Sequence, residues 1–493
     1  MAFRAKICLL FLFFTSAFLL SPSVTVARRE RNADVIVCQL KCEKLPGDEQ
    51  MSCKQTCEEY HDHDREHGGS GGGGHGGRMR LKVAGNGDVG DFGKGQQGSN
   101  NPYVFEDRHF TTRLESQLGN VRILQKFTDR SAELFRGIEE YRVGFLEAEP
   151  QTFIIPNHWD ADALLCVVNG EGTISLINHP KSRQTFNIKR GDIFRVPAGI
   201  SAYLINRNNH QKLVLAKILR SVSVPGELQT FFGAGGENPE SSFLNAFSTE
   251  VLEAAFDANR DELQRLFFGQ QMQKGVFKKA TEEQIRSLEE SRKWPFGERK
   301  GRNGPYNVFE KNPSVQNENG HMHEVDSNDF SDLRDINVAV SFFNITQGSM
   351  AGPFYNTKAT MVLLVPNGEG QFEMACPHLA EQHSRGSVGG APSYEKVSSR
   401  LSRGTVVVVP AGHPVVIEAS GGNQNLEVIG FGLNSHENEW FPLAGRDNVM
   451  SEWEDEAVEL TFGVPARAVK KVIQKQNKKM FFKGPERRGQ AFA

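Results

Sequence analysis

From residue 101 onward the chain is a succession of short apolar runs cut off by turn residues. Leu164–Val168 and Met361–Val365 are such runs, and each is closed by Asn-Gly within a few residues, a strong hairpin-turn signal. Ile193–Val196 and Thr405–Val409 are two more, each stopped by Pro-Ala-Gly. Short strands joined by regular turns predict a mainly β fold of the sandwich or barrel kind. Helical signals follow each set of strands. Residues 249–268 open on Ser/Thr with an acidic first turn, and residues 447–478 become basic toward their end. Between the two sets, residues 276–303 are charged and uneven and read as an exposed linker.

The pattern occurs twice. Pro102-Tyr103-Val104-Phe105 returns as Pro305-Tyr306-Asn307-Val308-Phe309, and Asn169-Gly170-Glu171-Gly172 as Asn367-Gly368-Glu369-Gly370. Arg190-Gly191 ahead of Pro197-Ala198-Gly199 returns as Arg403-Gly404 ahead of Pro410-Ala411-Gly412. The helical Val251–Phe256 is echoed by Val458–Phe462, and a polar Gly/Ser-rich insertion at 379–398 widens the offset in the second copy. A duplication gives domains at 101–275 and 304–480, each ending in helices, with a short tail at 481–493.

Residues 1–27 have the form of a secretory signal: Arg4 and Lys6 lead an apolar stretch, Ile7 to Leu20, and Thr25 and Ala27 supply small residues for cleavage. The stretch is shorter than the roughly 20 residues that span a bilayer, so no membrane association is expected after cleavage. Residues 28–60 carry Cys38, Cys42, Cys53 and Cys57 as C-x3-C-x10-C-x3-C around a Leu45-Pro46-Gly47-Asp48 turn. Cysteines four apart share a helical face, so two antiparallel helices pair Cys38 with Cys57 and Cys42 with Cys53. A zinc site is the competing reading of the four, although the secretory route favours disulfides. Residues 61–100 form a linker of His/Asp and then Gly/Ser-rich sequence, with weak metal ligands at most in His61, His63, His67 and His75.

Composition narrows the class. A net charge of -3 excludes general attraction to nucleic acid or anionic membranes. With 38% hydrophobic residues, 493 residues exceed one ordinary core, and 35 Phe supply aromatic filling for two.

The segments Gly191–Gly199 and Gly404–Gly412 match G-x5-P-x-G, the core of the second cupin motif. Joined to the duplication they resemble the two-barrel seed globulins. The finer match is to the vicilins (7S globulins), through Phe243-Leu244-Asn245-Ala246-Phe247, Asn344-Ile345-Thr346-Gln347-Gly348-Ser349, Met374-Ala375-Cys376-Pro377-His378-Leu379 and Leu443-Ala444-Gly445-Arg446-Asp447-Asn448-Val449. The resemblance covers residues 101–480, and the cysteine unit resembles the α-hairpinin peptides of vicilin precursors. It implies two tandem cupin (jelly-roll) β-barrels with helical extensions, assembly as a homotrimer through those extensions, and a role as a seed storage protein in the protein-storage vacuole. Gly489-Gln490-Ala491-Phe492-Ala493 resembles a vacuolar sorting tail.

Enzymatic cupins hold one metal with H-x-H, a following Glu and a later His. The first copy has His158-Trp159-Asp160 there, with Leu164 and Leu165 near the Glu position and Ala202 for the later His. The second has Phe354-Tyr355-Asn356 and Val415. No catalytic residue is therefore expected, and His158 is read as a hydrogen-bonded structural residue. Cys376 and His378, two apart on a predicted strand, face the same way, and His413 on the turn after Pro410-Ala411-Gly412 reaches the same end of the sheet. A thiolate with two imidazoles suits copper, with zinc next. Some vicilins hold copper with Cys, two His and a Tyr of the neighbouring subunit, and Tyr103 is the candidate for that Tyr. Asn344 heads a glycosylation sequon. The basic residues from Arg467 to Arg488 read as a solvated tail. Two alternatives to storage remain, a metal-dependent two-barrel oxidoreductase and a precursor that releases residues 28–60 as an antimicrobial or inhibitory hairpin.

Overall fold

The structure, a computed structural model, describes residues 101–179, 182–233, 242–268, 275–290, 304–379 and 393–486. The expected signal, hairpin, bridges and linker of residues 1–100 lie outside them. Strands β1 (Val104–Phe105), β2 (Phe110–Ser116), β3 (Gly119–Leu124), β4 (Tyr141–Ala148), β5 (Thr152–Trp159), β6 (Ala161–Asn169) and β7 (Glu171–His179) come first. They are followed by β8 (Ser182–Lys189), β9 (Asp192–Val196), β10 (Ser201–Ile205), β11 (Leu213–Ser221), β12 (Thr230–Phe232) and β13 (Phe277–Lys279). The second half holds β14 (Tyr306–Asn307), β15 (Val315–Asn317), β16 (Gly320–Val325), β17 (Val338–Ile345), β18 (Ser349–Asn356), β19 (Thr360–Asn367) and β20 (Gly370–Cys376). It closes with β21 (Glu395–Leu401), β22 (Val406–Val409), β23 (Val415–Ala419), β24 (Leu426–Leu433), β25 (Trp440–Pro442) and β26 (Phe481–Lys483).

Each half is a two-sheet antiparallel barrel. The first combines β14-β9-β6-β11-β4-β3-β2 with β12-β5-β10-β7-β8, and the second combines β1-β22-β19-β24-β17-β16-β15 with β21-β20-β23-β18-β25. The strand patterns follow from what each face meets. In β20, Phe372, Met374 and Cys376 are buried while Gln371, Glu373 and Ala375 alternate with them toward the surface. In β22 all four valines are buried, because one face lines a barrel and the other packs on the opposite half. The joint between halves is also polar in places. Tyr141 OH donates to Ile336 O at 3.0 Å, and Arg195 holds Asp162 at 2.8 Å while also reaching Asp335 of the second half. The expected Asn-Gly turns are present. Gly170 and Gly368 have φ of 83° and 87°, and a Cβ at either would stand 2.4 Å and 2.3 Å from a facing carbonyl oxygen.

Three boundaries differ from the sequence reading. The leading segments are exchanged: β1 of the first copy pairs β22 of the second barrel, and β14 of the second copy pairs β9 of the first. The start of the expected 276–303 linker is structured, since β13 pairs β5 and a helix runs over Glu282–Glu290. The expected tail likewise begins with β26, which pairs β18. In both copies the late strand returns from the helical extension and seals the outer sheet, so it belongs to the barrel. The extensions contain helices at Thr249–Phe256 and Arg260–Leu263 in the first half and at Asp455–Phe462 and Ala466–Ile473 in the second.

Candidate functional site

At the mouth of the first barrel the two candidate ligands, His158 and Asp160, each engage protein groups. His158 turns outward and stacks on Phe231, ring centres 4.9 Å apart, in place of the hydrogen-bonded role expected for it. Asp160 Oδ1 accepts from Gln229 N at 2.7 Å and so fixes a turn. Trp159 meets Lys217, whose ammonium lies 4.8 Å from the indole centre. Lys217 shares the inward face of β11 with Leu215 and Leu219 and is only 4% exposed. Burial lowers its pKa from 10.5 to about 8.

The second barrel filled the same space differently. Lys217 pairs across strands with Leu165 and Gly144, and Gly430 with Leu363 and Ser341, so Gly430 is the positional mate of Lys217. A Cβ on Gly430 would stand 2.4 Å from Ser341 Oγ and 2.7 Å from Met361 Cε, so these two side chains take the volume that the lysine stem takes in the first barrel. Asn356, paired with Trp440 as Trp159 is with Thr230, replaces the indole.

That end of the second barrel gathers most of the predicted metal ligands. Cys376 is fully buried, and its Sγ lies 3.4 Å from Tyr103 OH. Tyr103 precedes β1 and comes from the same chain, which corrects the expectation of a neighbouring subunit: the exchanged leading segment delivers it. Burial and the adjoining Cys376 sulfur push the Tyr103 phenol far above its ordinary range. His413 is 5% exposed; its Nδ1 donates to Ala411 O at 3.1 Å, which leaves Nε2 as the lone-pair nitrogen, and Nε2 has no partner. Burial, with His378 beside it, lowers the His413 pKa, so the neutral ligating form prevails.

His378 departs from its predicted place. Pro377 has no N–H to continue the ladder, β20 ends at Cys376, and residues 377–379 turn helical. His378 is consequently exposed, its ring centre 5.2 Å from that of His413. Among the described residues, no three His, Cys, Asp or Glu side chains stand close enough together to coordinate one ion. Tyr103 lies between Cys376 and His413, its hydroxyl against Cys376 and its ring centre 6.5 Å from that of His413.

The sequence reading missed Asn356. Met374 and Phe354 flank Val415 on β20 and β18, and continuing the β20 register by two residues sets Cys376 opposite His413. Ala375 N donates to Pro414 O at 2.9 Å in that register, whereas Gly412 N donates to Asn356 O at 2.7 Å and so sets Asn356 opposite Gly412. The repeat as read set Asn356 against Asp160, whereas matching backbone bonds, Gly199 N to Trp159 O and Gly412 N to Asn356 O, make Trp159 its structural mate. Elsewhere, Asn344 is half-buried on β17, with Oδ1 accepting from Asn425 Nδ2 at 2.8 Å. An apolar groove of about 1460 Å³ runs between the outer face of β5 and the first helical extension, lined by Phe153, Phe231, Phe243, Phe256 and Phe267.

Two jelly-roll barrels with exchanged leading strands define a two-barrel cupin, and the cupin family signature matches residues 143–264 and 306–470. A vicilin of Juglans regia is 44% identical over 513 residues, covering 100% of both chains. The crystal structure of vicilin from hazelnut, Corylus avellana, superposes with a TM-score of 0.71 at 46% identity, over 78% of this chain and 100% of that one. A Macadamia integrifolia protein named for vicilin-like antimicrobial peptides is 40% identical over 469 residues, 92% of this chain and 72% of the relative. The chain belongs to the vicilin family of seed storage globulins.

Proposed function

We propose that this protein is a non-catalytic nutrient reserve of the seed, carried through the secretory pathway to the storage vacuole. The observation that carries this reading is the state of the barrel mouths. One is plugged by Trp159 over Lys217, and in the other the positions of a cupin metal set hold Phe354, Asn356 and Val415. Assembly is as a homotrimer through the helical extensions. Leu460 is 88% exposed, Leu266 67% and Val472 65%, an apolar display suited to burial against a second copy. Protein isolated from mature seed runs as a trimer, and its amount falls on germination. A monomer present at constant level through germination overturns the proposal.

The second barrel would hold one copper ion through Cys376, Tyr103 and His413, with His378 beside His413. The residues suit copper because Nε2 of His413 is buried without a partner beside a soft sulfur donor. Bound there, copper would supply a one-electron centre, and Tyr103 as a ligand would tie the leading segment to the second barrel. Wild-type protein takes up one copper per chain, and Cys376→Ala loses at least tenfold in affinity while Cys166→Ala keeps it. Equal uptake by all three proteins assigns the metal elsewhere. Zinc in the isolated protein, displacing copper, sinks the choice of metal.

A second reading coexists with storage. The C-x3-C-x10-C-x3-C unit and the name of the Macadamia relative favour release of residues 28–60 as a defence hairpin.

A further inference from the structure

The groove on the outer face of the first barrel has apolar walls with an ammonium set among them. Phe153 on β5, Phe231 on β12, and Phe243, Phe256 and Phe267 of the extension face into it. Phe231 is 37% exposed, Phe243 39% and Phe256 47%, although all three line one concavity. Apolar surface left open and gathered in a cleft marks a binding site. Strand β13 supplies the polar group. Phe277 points into the core, so its neighbour Lys278 lies on the groove face, opposite Phe153 in the register. Lys278 is half-buried there, and burial lowers its pKa.

The second barrel treats the same position differently. Strand β26 pairs β18 as β13 pairs β5, and Phe482 faces Met350 where Lys278 faces Phe153. Phe482 is 3% exposed, and its ring packs so close to Gly445 that a Cβ there would stand 2.9 Å away. One copy therefore closes its outer face with a ring, and the other sets a cation among rings. The charged side chains lining the groove are Lys278, Lys279 and Glu283, with His158 stacked on Phe231. Lys279 Nζ donates to Pro150 O at 2.8 Å, so Lys278 is the lysine given to the walls. At about 1460 Å³ the groove exceeds the roughly 300–1,000 Å³ of ordinary small-ligand pockets, and a long chain uses that space where a small ion does not.

We infer that this groove binds a long-chain fatty carboxylate, its head group at Lys278 and its chain among the phenylalanines. Charge and surface both select that class. The walls offer apolar area to the chain, and the ammonium offers a charge-assisted hydrogen bond to the carboxylate. The site lies outside the barrel interiors and needs no metal. It is also separate from the surface given to assembly, since Leu266, 67% exposed, does not line it. The chain carries most of the affinity, and Lys278 determines the preference for an acid over a neutral amphiphile.

Laurate, kept below its micelle concentration, is the probe. The delipidated full chain is titrated by calorimetry, with N-phenyl-1-naphthylamine as an uncharged fluorescent reporter of the apolar walls. Wild type binds about one laurate per chain, laurate displaces the reporter, and acetate does not. Lys278→Glu binds laurate about tenfold more weakly, with its affinity for the reporter unchanged. Lys278→Met, which keeps most of the stem, shows the same selective loss if the glutamate variant fails to fold. Equal laurate affinity in wild type and both variants overturns the head-group site. A parallel loss of laurate and reporter makes Lys278 a structural residue and overturns it too. Displacement by acetate as effective as by laurate removes the role of the chain. No laurate uptake by wild type, or uptake by a dilute monomer and not by the assembled protein, assigns the groove to protein packing and sinks the inference.

Discussion

Lys217→Met raises stability at neutral pH. The folded state holds the ammonium at a pKa of about 8 against 10.5 in the open chain, which corresponds to about 3 kcal/mol of destabilisation at pH 7. Loss of the cation–π contact with Trp159 returns about 1–2 kcal/mol of that, so the expected net gain is on the order of 1–2 kcal/mol. The sign with pH is fixed. Between pH 8 and 10.5 the unfolded chain binds more protons at this site than the folded one, so wild-type stability rises with pH. The full penalty is present below about pH 8 and vanishes above 10.5, where the lysine is neutral in both states. Denaturant midpoints of the two proteins therefore converge as pH rises from 8 toward 10.5. A gap that stays constant over that range assigns the effect to packing alone.

Gly191→Ala and Gly404→Ala, at equivalent positions of the two copies, have unequal costs. Both glycines are left-handed, with φ of 88° and 86°, so each substitution carries backbone strain of about 1–2 kcal/mol. A Cβ on Gly404 meets nothing within 4 Å, whereas one on Gly191 would stand 2.4 Å and 2.6 Å from the Phe309 ring. Displacing that ring adds about 1–3 kcal/mol, so Gly191→Ala totals roughly 2–5 kcal/mol. Phe309 follows β14, the leading strand that the second copy lends to the first barrel. Thermal unfolding of the two variants measures the difference. Equal shifts contradict the asymmetric packing.

The repeat was legible because each copy repeats its own punctuation. Asn169-Gly170 and Asn367-Gly368 turn where only glycine fits, and the apolar runs before them became β6 and β19. The site was only partly legible. Cys376, His413 and Tyr103 came together, but period-2 counting failed at His378 because Pro377 ends the strand between them. The emptied H-x-H slot read as inert, yet its last residue, Asn356, is buried with its Nδ2 unpartnered. Nothing local distinguishes it from His158 in the neighbouring slot, whose side chain turns outward to Phe231.

By itself the sequence determined that two β-rich copies form, where their turns fall, and which residues fill the H-x-H slots. Those properties depend on local backbone preferences and on residue identity, which a linear chain displays directly. Only the tertiary structure decided which barrel each leading strand completes, and hence that Tyr103 meets Cys376 within one chain. The two copies carry nearly the same leading segment, so strand pairing alone is almost degenerate between them. Packing of the whole chain breaks that degeneracy, through contacts between residues hundreds of positions apart.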